Sequence, residues 1–327
     1  MVRRAEILII THAGRSIGGG HVARCAALAD AFASLGASVR WLVNEPAAGI
    51  LAGRGVAAES MVVVENPFAD GALHVIDAVA AIHPVLCVVD GYDATPALLE
   101  GVRRLCRVVM IDDCRSRPVE IECDAVLNYN LNAGSVGYRQ GCAKLLLGPE
   151  YALLRRDFWD LSSEAGVDIL IIPGASDLLD TSGRFVEWWG EGWPRAELVL
   201  GPLVAPSAVE SLVKAAAGLS NLSLLHDPHD LPARMARSRA VLCTSSVASY
   251  EVLALRKPLV VFQTADNQVG IGREIGRRGL GFNLGEWGSW GREALRSALE
   301  DLPPSPPPTV NPRGAQSAAA ELLRLIE

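Results

Sequence analysis

Positive charge is not in excess in this chain: 30 lysines and arginines stand against 37 aspartates and glutamates, a formal net charge of -7. The basic footprint that neutralises a phosphate backbone is absent, so nucleic acid is not an expected partner. An acidic protein can still hold a small anion, because helix N-termini present unpaired backbone N–H groups. No CxxC pair occurs among the seven cysteines, at 25, 87, 106, 114, 123, 142 and 243. That spacing argues against a zinc site or a dithiol centre. Odd and scattered cysteines fit small buried residues in a reducing compartment. The apolar run in "MVRRAEILIITHAG" is too short to span a membrane, and no small-residue cleavage site follows a long apolar core. It reads as a first buried strand, in a protein expected to be cytoplasmic with no membrane partner. There is no GxSxG elbow, no GK[ST] phosphate loop and no dinucleotide GxGxxG spacing. The second apolar run ends "WLVNEP", where Asn44 and Glu45 only loosely replace the acidic residue of NAD-binding folds. Internal repeats are lacking too.

What is present is an alternation. The 327 residues are 50% hydrophobic and 20% charged, enough for two domains with real cores. Short continuous Val/Ile/Leu runs suggest strands covered on both faces. In the first half they are "AEILIITH", "SVRWLVN", "VLCVVD", "RVVMID", "DAVLNYN" and "KLLLGP"; in the second, "VDILIIPG", "AELVLG", "LSLLHDP", "AVLCTSS" and "PLVVFQT". Helical patterns lie between them, which predicts parallel β-α-β units and an α/β fold of two doubly wound domains. The expected boundaries are 1–158, 167–302 and a tail, 303–327, that is proline-rich and ends in a short helix. Paired domains of this kind are expected to bind a ligand in a cleft at the carboxyl ends of their strands.

The polar residues after the strands are therefore the candidates. "GGGHVAR" places Gly18 and Gly20 where backbone can approach a ligand and His21 in the first turn of a helix. The positive end of a helix disfavours imidazolium, which would suit His21 to act as a base; a histidine that caps its helix is the equal alternative. Asp90, Tyr92, Asp93, Asp112 and Asp113 follow later strands, with Asp93 read as a helix cap. Asn128, Asn130 and Asn132 suit sugar hydroxyls or ordinary loops. In the second half, Gly174, Ala175 and Ser176 follow one strand, and Thr244, Ser245 and Ser246 open a helix. Their amides and hydroxyls could take a diphosphate. Glu251 is placed to accept ribose hydroxyls, or to face solvent. Asp266, Asn267 and Gln268 follow the next strand. "HDPHD", with His226 and His229, is a poor metal site and reads as a turn with an N-cap.

Taken together, "GGGHVARCAALADAF", "KLLLGPEYALLRRDF" and "SYEVLALRKPLVVFQTADNQ" resemble the nucleotide-sugar hydrolase family of pseudaminic acid biosynthesis, over about residues 7–285. The resemblance implies a GT-B fold, similar to the peptidoglycan N-acetylglucosaminyltransferase. It implies hydrolysis of a UDP-linked diacetamido-trideoxy sugar by water attack at the anomeric carbon, with inversion, on the way to a nonulosonic acid for surface or flagellar glycans. His21 would be the catalytic base. Gly18, Gly20, Arg24, Asp90, Tyr92, Asn128, Asn267 and Gln268 would surround the sugar. Gly174, Ala175, Ser176, Leu225, His226, Thr244, Ser245, Ser246 and Glu251 would hold the nucleotide. No metal or cofactor is called for. The sequence departs from the family at Gly91, where a histidine is usual, and at "PGASD", where Gly-Gly-Ser-Asp is common. A glycosyltransferase of the same fold and a non-catalytic nucleotide-sugar binder stand as alternatives.

Overall fold

The computed structural model describes residues 5–14, 17–69, 73–113, 118–141, 143–166, 168–177 and 179–327. Ser16, Cys114 and Cys142 lie outside these. The chain divides into two compact units: unit 1 is Met1–Arg156 with Arg313–Glu327, and unit 2 is Asp157–Pro312.

Unit 1 runs β1 (Glu6–Thr11), α1 (Gly20–Ser34), β2 (Ser38–Val43), α2 (Glu45–Gly53), β3 (Met61–Val63), α3 (Leu73–Ile82), β4 (Leu86–Asp90), α4 (Pro96–Arg103), β5 (Arg107–Ile111), β6 (Ala125–Asn128) and β7 (Lys144–Leu147). The strands form one sheet in the order β3-β2-β1-β4-β5-β6-β7, with every pairing parallel. β1 and β4 are entirely buried beyond Glu6, as their unbroken apolar sequence requires. Strand order reverses between β1 and β4, where Thr11 is in register with Asp90. In open parallel sheets such a switch point is where a crevice forms.

Unit 2 continues with β8 (Ile169–Ile172), α5 (Thr181–Trp188), β9 (Ala196–Leu200), α6 (Pro206–Ala216), β10 (Leu222–His226), α7 (Leu231–Arg237), β11 (Ala240–Thr244), α8 (Val247–Ala254), β12 (Leu259–Gln263), α9 (Asp266–Arg277), β13 (Phe282–Glu286) and α10 (Arg292–Glu300). Its parallel sheet has the order β10-β9-β8-β11-β12-β13, so its switch point lies between β8 and β11. Each unit has its own core. One centres on Leu8, Ile10, Val89 and Val108, the other on Ile171, Leu198, Leu242 and Phe262. The last helix, α11 (Gly314–Leu323), belongs to unit 1, where Ala315, Ala318, Ala319 and Leu322 are fully buried. Lys144 Nζ donates to Glu321 at 2.6 Å and ties this helix to β7.

Two strands were not among those expected. β3 is apolar, Met-Val-Val, but only three residues long, and β13 is half-exposed with a glycine inside it; both are sheet edges. Helix starts also differ from the sequence expectation. Thr95, not Asp93, caps α4, its hydroxyl accepting the Leu98 N–H at 3.2 Å. Pro96 fixes the first helical residue and so places the cap one position before it. Asp230 stands at the N-cap of α7, but its carboxylate accepts from Arg234 instead of capping.

Candidate functional site

The first site is built on α1. His21, Arg24 and Cys25 are spaced i, i+3 and i+4, so they share one helix face. That face meets Asp90, the last residue of β4, which is fully buried. Arg24 grips it bidentately, Nε to Oδ2 at 2.7 Å and Nη2 to Oδ1 at 2.6 Å. Cys25 Sγ donates to Oδ2 at 3.3 Å. His21 Nδ1 lies 2.7 Å from Oδ1. Burial alone would push the Asp90 carboxyl up, but Arg24 and then His21 reverse this and hold it well below its ordinary range. The carboxylate is therefore ionised and can only accept, so Nδ1 carries the proton. In the neutral ring, Nε2 is then the unprotonated nitrogen. Arg24 Nη2 also lies 3.0 Å from Nδ1, because both groups converge on the same oxygen.

The network extends to the end of β5. Arg24 Nη1 donates to Asp113 Oδ2 at 2.8 Å, and the Tyr92 hydroxyl donates to the same oxygen at 3.0 Å. The Tyr92 ring lies edge-on to His21, with centroids 4.8 Å apart. Burial, then the Asp113 charge, pushes the Tyr92 phenol up, so it stays a donor. Behind His21, the His12 ring is 6.0 Å away and stacks edge-on to Phe68 at 4.7 Å. Burial and then His21 lower the His12 pKa, against opposing Asp93 and Asp90.

Arg24 (5% exposed) and Asp90 (0%) are buried and bond one another, Arg24 reaching on to Asp113 and Asp90 to His21 and Cys25. Asn128 is buried and committed at both ends: Nδ2 donates to the Tyr138 hydroxyl at 3.0 Å and Oδ1 accepts the Asn130 N–H at 3.0 Å. Tyr138 in turn donates to Asp112 at 2.5 Å. Tyr92, 44% exposed, remains at the surface. Gly18 (φ 79°) sits in a left-handed turn, its N–H donating to the Gly14 carbonyl at 2.7 Å, so it shapes the loop before α1; Gly20 is exposed. Asn44 does not stand in for a ribose-binding acid. Its Nδ2 donates to the Ala13 carbonyl at 2.8 Å and its Oδ1 accepts the Ala13 N–H at 3.0 Å. The space a side chain at 91 would need holds the Phe68 ring, whose Cε2 is 2.3 Å from an ideal Cβ. Asp113, expected among the polar residues after the strands, joins this cluster, whereas His12, the "TH" ending the first strand, was not singled out by the sequence.

The second site is in unit 2. Gly174, Ala175 and Ser176 are half-buried after β8, and the Ala175 carbonyl accepts the Leu203 N–H at 2.9 Å. Gly201 permits that approach, since a Cβ there would stand 2.4 Å from the Gly174 carbonyl oxygen. The α5 N-terminus beside this loop is already occupied. Asp177 Oδ1 accepts the Thr181 N–H at 2.9 Å and Oδ2 the Ser182 N–H at 3.0 Å. α9 carries Asp266 in its first turn. α8 differs: it has no acidic residue in its first turn, and its N-cap Ser246 makes no side-chain cap. Among these three helix starts, α8 is the one left electropositive. Thr244 Oγ1 lies 3.0 Å from Ser246 Oγ, and Ser246 is half-exposed. Ser245 is fully buried, its hydroxyl donating to the Phe262 carbonyl at 3.1 Å and accepting from Gln263 at 2.8 Å. Its side chain is thus committed to the sheet. Glu251, five residues past Ser246, is 5% exposed. Asn267 and Gln268 lie within α9, and Gln268 Oε1 accepts the Thr264 N–H at 2.9 Å. Leu225 is half-buried and His226 exposed at the end of β10.

Among the described residues, no group of three or more His, Cys, Asp or Glu is placed to hold a metal ion. Nor, among them, is any helix long and apolar enough to cross a membrane.

The chain matches no protein-family model and no curated protein. Solved structures do match it nearly end to end. MurG of Acinetobacter baumannii is 14% identical, with 98% of each chain covered and a TM-score of 0.63. S. aureus MnaA, solved with UDP, is 12% identical over 98% of this chain and 96% of its own, at 0.67. The UDP-GlcNAc 2-epimerase of Methanocaldococcus jannaschii, in complex with UDP-GlcNAc and UDP, is 10% identical over 98% and 99%, at 0.62. The fold is GT-B. Two parallel sheets of seven and six strands with interleaved helices are what the GT-B chain shares with these proteins. Identities of this size concern architecture, and activity has to be argued from the residues.

Proposed function

We propose that the protein hydrolyses a UDP-linked diacetamido-trideoxy sugar to UDP and the free sugar. The observation that carries this reading is the Asp90–His21 bond, which engages Nδ1 at the β1/β4 switch point and so makes Nε2 the ring nitrogen assigned to accept a proton. In the reaction, Nε2 takes a proton from water as the water oxygen bonds the anomeric carbon. The bond from that carbon to the UDP oxygen breaks, and its electron pair leaves with the diphosphate. The Asp90 carboxylate, on Nδ1, stabilises the imidazolium that forms. His21 and Tyr92 are assigned to the sugar.

The nucleotide is assigned to the start of α8. The diphosphate meets the first amides of α8 and the Ser246 hydroxyl, while the Asp177 carboxylate at α5 and Asp266 at α9 disfavour it there. Glu251 accepts ribose hydroxyls. Direct displacement gives inversion at the anomeric carbon. The sequence resemblance supplies the sugar class and nonulosonic acid synthesis as its destination. The UDP bound to MnaA and the UDP-GlcNAc and UDP bound to the epimerase support a UDP-sugar as the ligand class.

Phosphorus NMR of the protein with a panel of UDP-diacetamido-trideoxy sugars tests the reading. UDP release without an acceptor supports hydrolysis. Release only with an acceptor hydroxyl makes His21 the base of a glycosyltransferase. No release makes the protein a binder.

A further inference from the structure

We infer that Asp113 is a positioning residue for His21, acting through Arg24 and through Tyr92. The inference rests on the reading of His21 as the base. Asp113 lies two residues beyond β5, the strand next to β4. Its Oδ2 accepts two bonds, from Arg24 Nη1 at 2.8 Å and from the Tyr92 hydroxyl at 3.0 Å. Each donor leads to His21 by a different path.

The first path is electrostatic. Arg24 has one planar guanidinium serving two carboxylates: Nε and Nη2 on Asp90, Nη1 on Asp113. A guanidinium held on three nitrogens cannot rotate in its plane, and Asp90 is held with it. The Asp90 Oδ1 that receives His21 Nδ1 is therefore fixed partly from Asp113. Without the charge at 113, Nη1 has lost its anionic partner and the grip on Asp90 loosens. The second path is steric. Tyr92 is substantially exposed, and an exposed tyrosine ordinarily samples several rotamers. The bond to Asp113 holds its ring 4.8 Å from the His21 ring at 77°. One carboxylate thus restrains the base along its Nδ1 bond and against one ring edge.

Asp113 is itself held. Asn130 Nδ2 donates to its backbone carbonyl at 3.3 Å. Its second oxygen, Oδ1, is buried and has no hydrogen-bond partner among the described residues. An amide could fill this volume, and only a carboxylate supplies charge to Arg24 while accepting from Tyr92.

The test uses Asp113→Asn in the full chain, with Asp113→Glu and Tyr92→Phe beside it. Two readouts are taken: the ring ¹⁵N resonances of His21, and kcat and KM for UDP release. For Asp113→Asn the expected result is a shifted His21 Nδ1 resonance and a kcat about 10- to 100-fold lower at unchanged KM, the size of a misplaced reacting group. Asp113→Glu recovers part of the loss. Tyr92→Phe reproduces part of it and is non-additive with Asp113→Asn. Wild-type His21 resonances and kcat in Asp113→Asn overturn the inference. So does a loss confined to KM, which makes Asp113 a direct sugar contact. If Asp113→Asn fails to fold, the other two variants carry the same readouts. If the wild-type protein releases no UDP from any UDP-sugar, the hydrolase reading falls, while the His21 resonances still decide the positioning role.

Discussion

Nδ1 of His21 lies 2.7 Å from Oδ1 of Asp90, a fully buried carboxylate that Arg24 also grips with two nitrogens. The ring is thereby oriented and its proton assigned before any substrate arrives. Residues 21, 24 and 25 contribute one helix face, and residue 90 contributes the strand end it faces.

His21→Asn keeps a polar side chain but removes the proposed base. Turnover of the UDP-sugar is expected to fall ~10²–10⁴-fold, the usual contribution of a general base. UDP affinity, measured by titration calorimetry, is expected to stay at the wild-type value. Equal turnover in the variant would remove His21 from the mechanism.

Arg24→Met leaves Asp90 buried without its main counter-charge. Breaking one side of a buried pair costs ~3–5 kcal/mol. Urea unfolding should show this loss near neutral pH. It should shrink in acid, where the carboxyl of the variant can protonate. A loss that does not change with pH would mean that packing, not charge, is what Arg24 contributes.

Acidification should act on unit 1 in two windows. The folded pKa of His12 lies below its ordinary 6.5, so the unfolded state binds the proton first. Stability from His12 is complete above about 6.5 and is lost as pH falls from there through the folded pKa. Asp90 is also depressed, so its contribution is lost later, as pH falls below the ordinary carboxylate value of 3.8 through its folded pKa. His12→Asn should flatten the first window in urea unfolding curves and leave the second. An unchanged slope would show that burial of His12 does not exclude its charged form.

The helix starts of unit 2 are expected to separate. Asp177→Ala removes the cap of α5 and should cost ~1 kcal/mol of stability without weakening UDP. Ser246→Ala and Glu251→Ala should weaken UDP instead. Loss of a hydrogen bond to a charged group is worth ~1.5–3 kcal/mol, roughly tenfold or more in Kd for Ser246. A variant pattern in which Asp177→Ala alone weakens UDP would relocate the diphosphate to α5.

Gly91→Ala drives a methyl into the Phe68 ring. Overpacking of this kind costs ~1–3 kcal/mol. In a Phe68→Ala background the added cost of Gly91→Ala should vanish, a coupling that thermal unfolding of the four proteins will show. Additive costs would mean that the methyl is accommodated elsewhere.

By itself the sequence determined the alternation of buried strands and helices, hence two parallel sheets, because strands covered on both faces must be continuously apolar. The spacing of His21, Arg24 and Cys25 was equally legible, since helical period is local. Edge strands β3 and β13 were not: β3 is apolar but only three residues long, and β13 is half-exposed with a glycine inside it. The tertiary structure alone decided what each polar residue faces. Asp90 and Asn128 looked like rim groups, yet parallel pairing draws them inside, and buried polar atoms must find partners. Ser245 was likewise drawn into the sheet, and Asp177 onto the α5 amides. Asp113 gained its place from strand order, which sets β5 beside β4 and brings Asp90 and Asp113 onto the Arg24 guanidinium, with Tyr92 on Asp113. Spacing along a chain reports neighbours on one element. Which elements adjoin is fixed by burying both sheet faces at once, and that is a property of the whole fold.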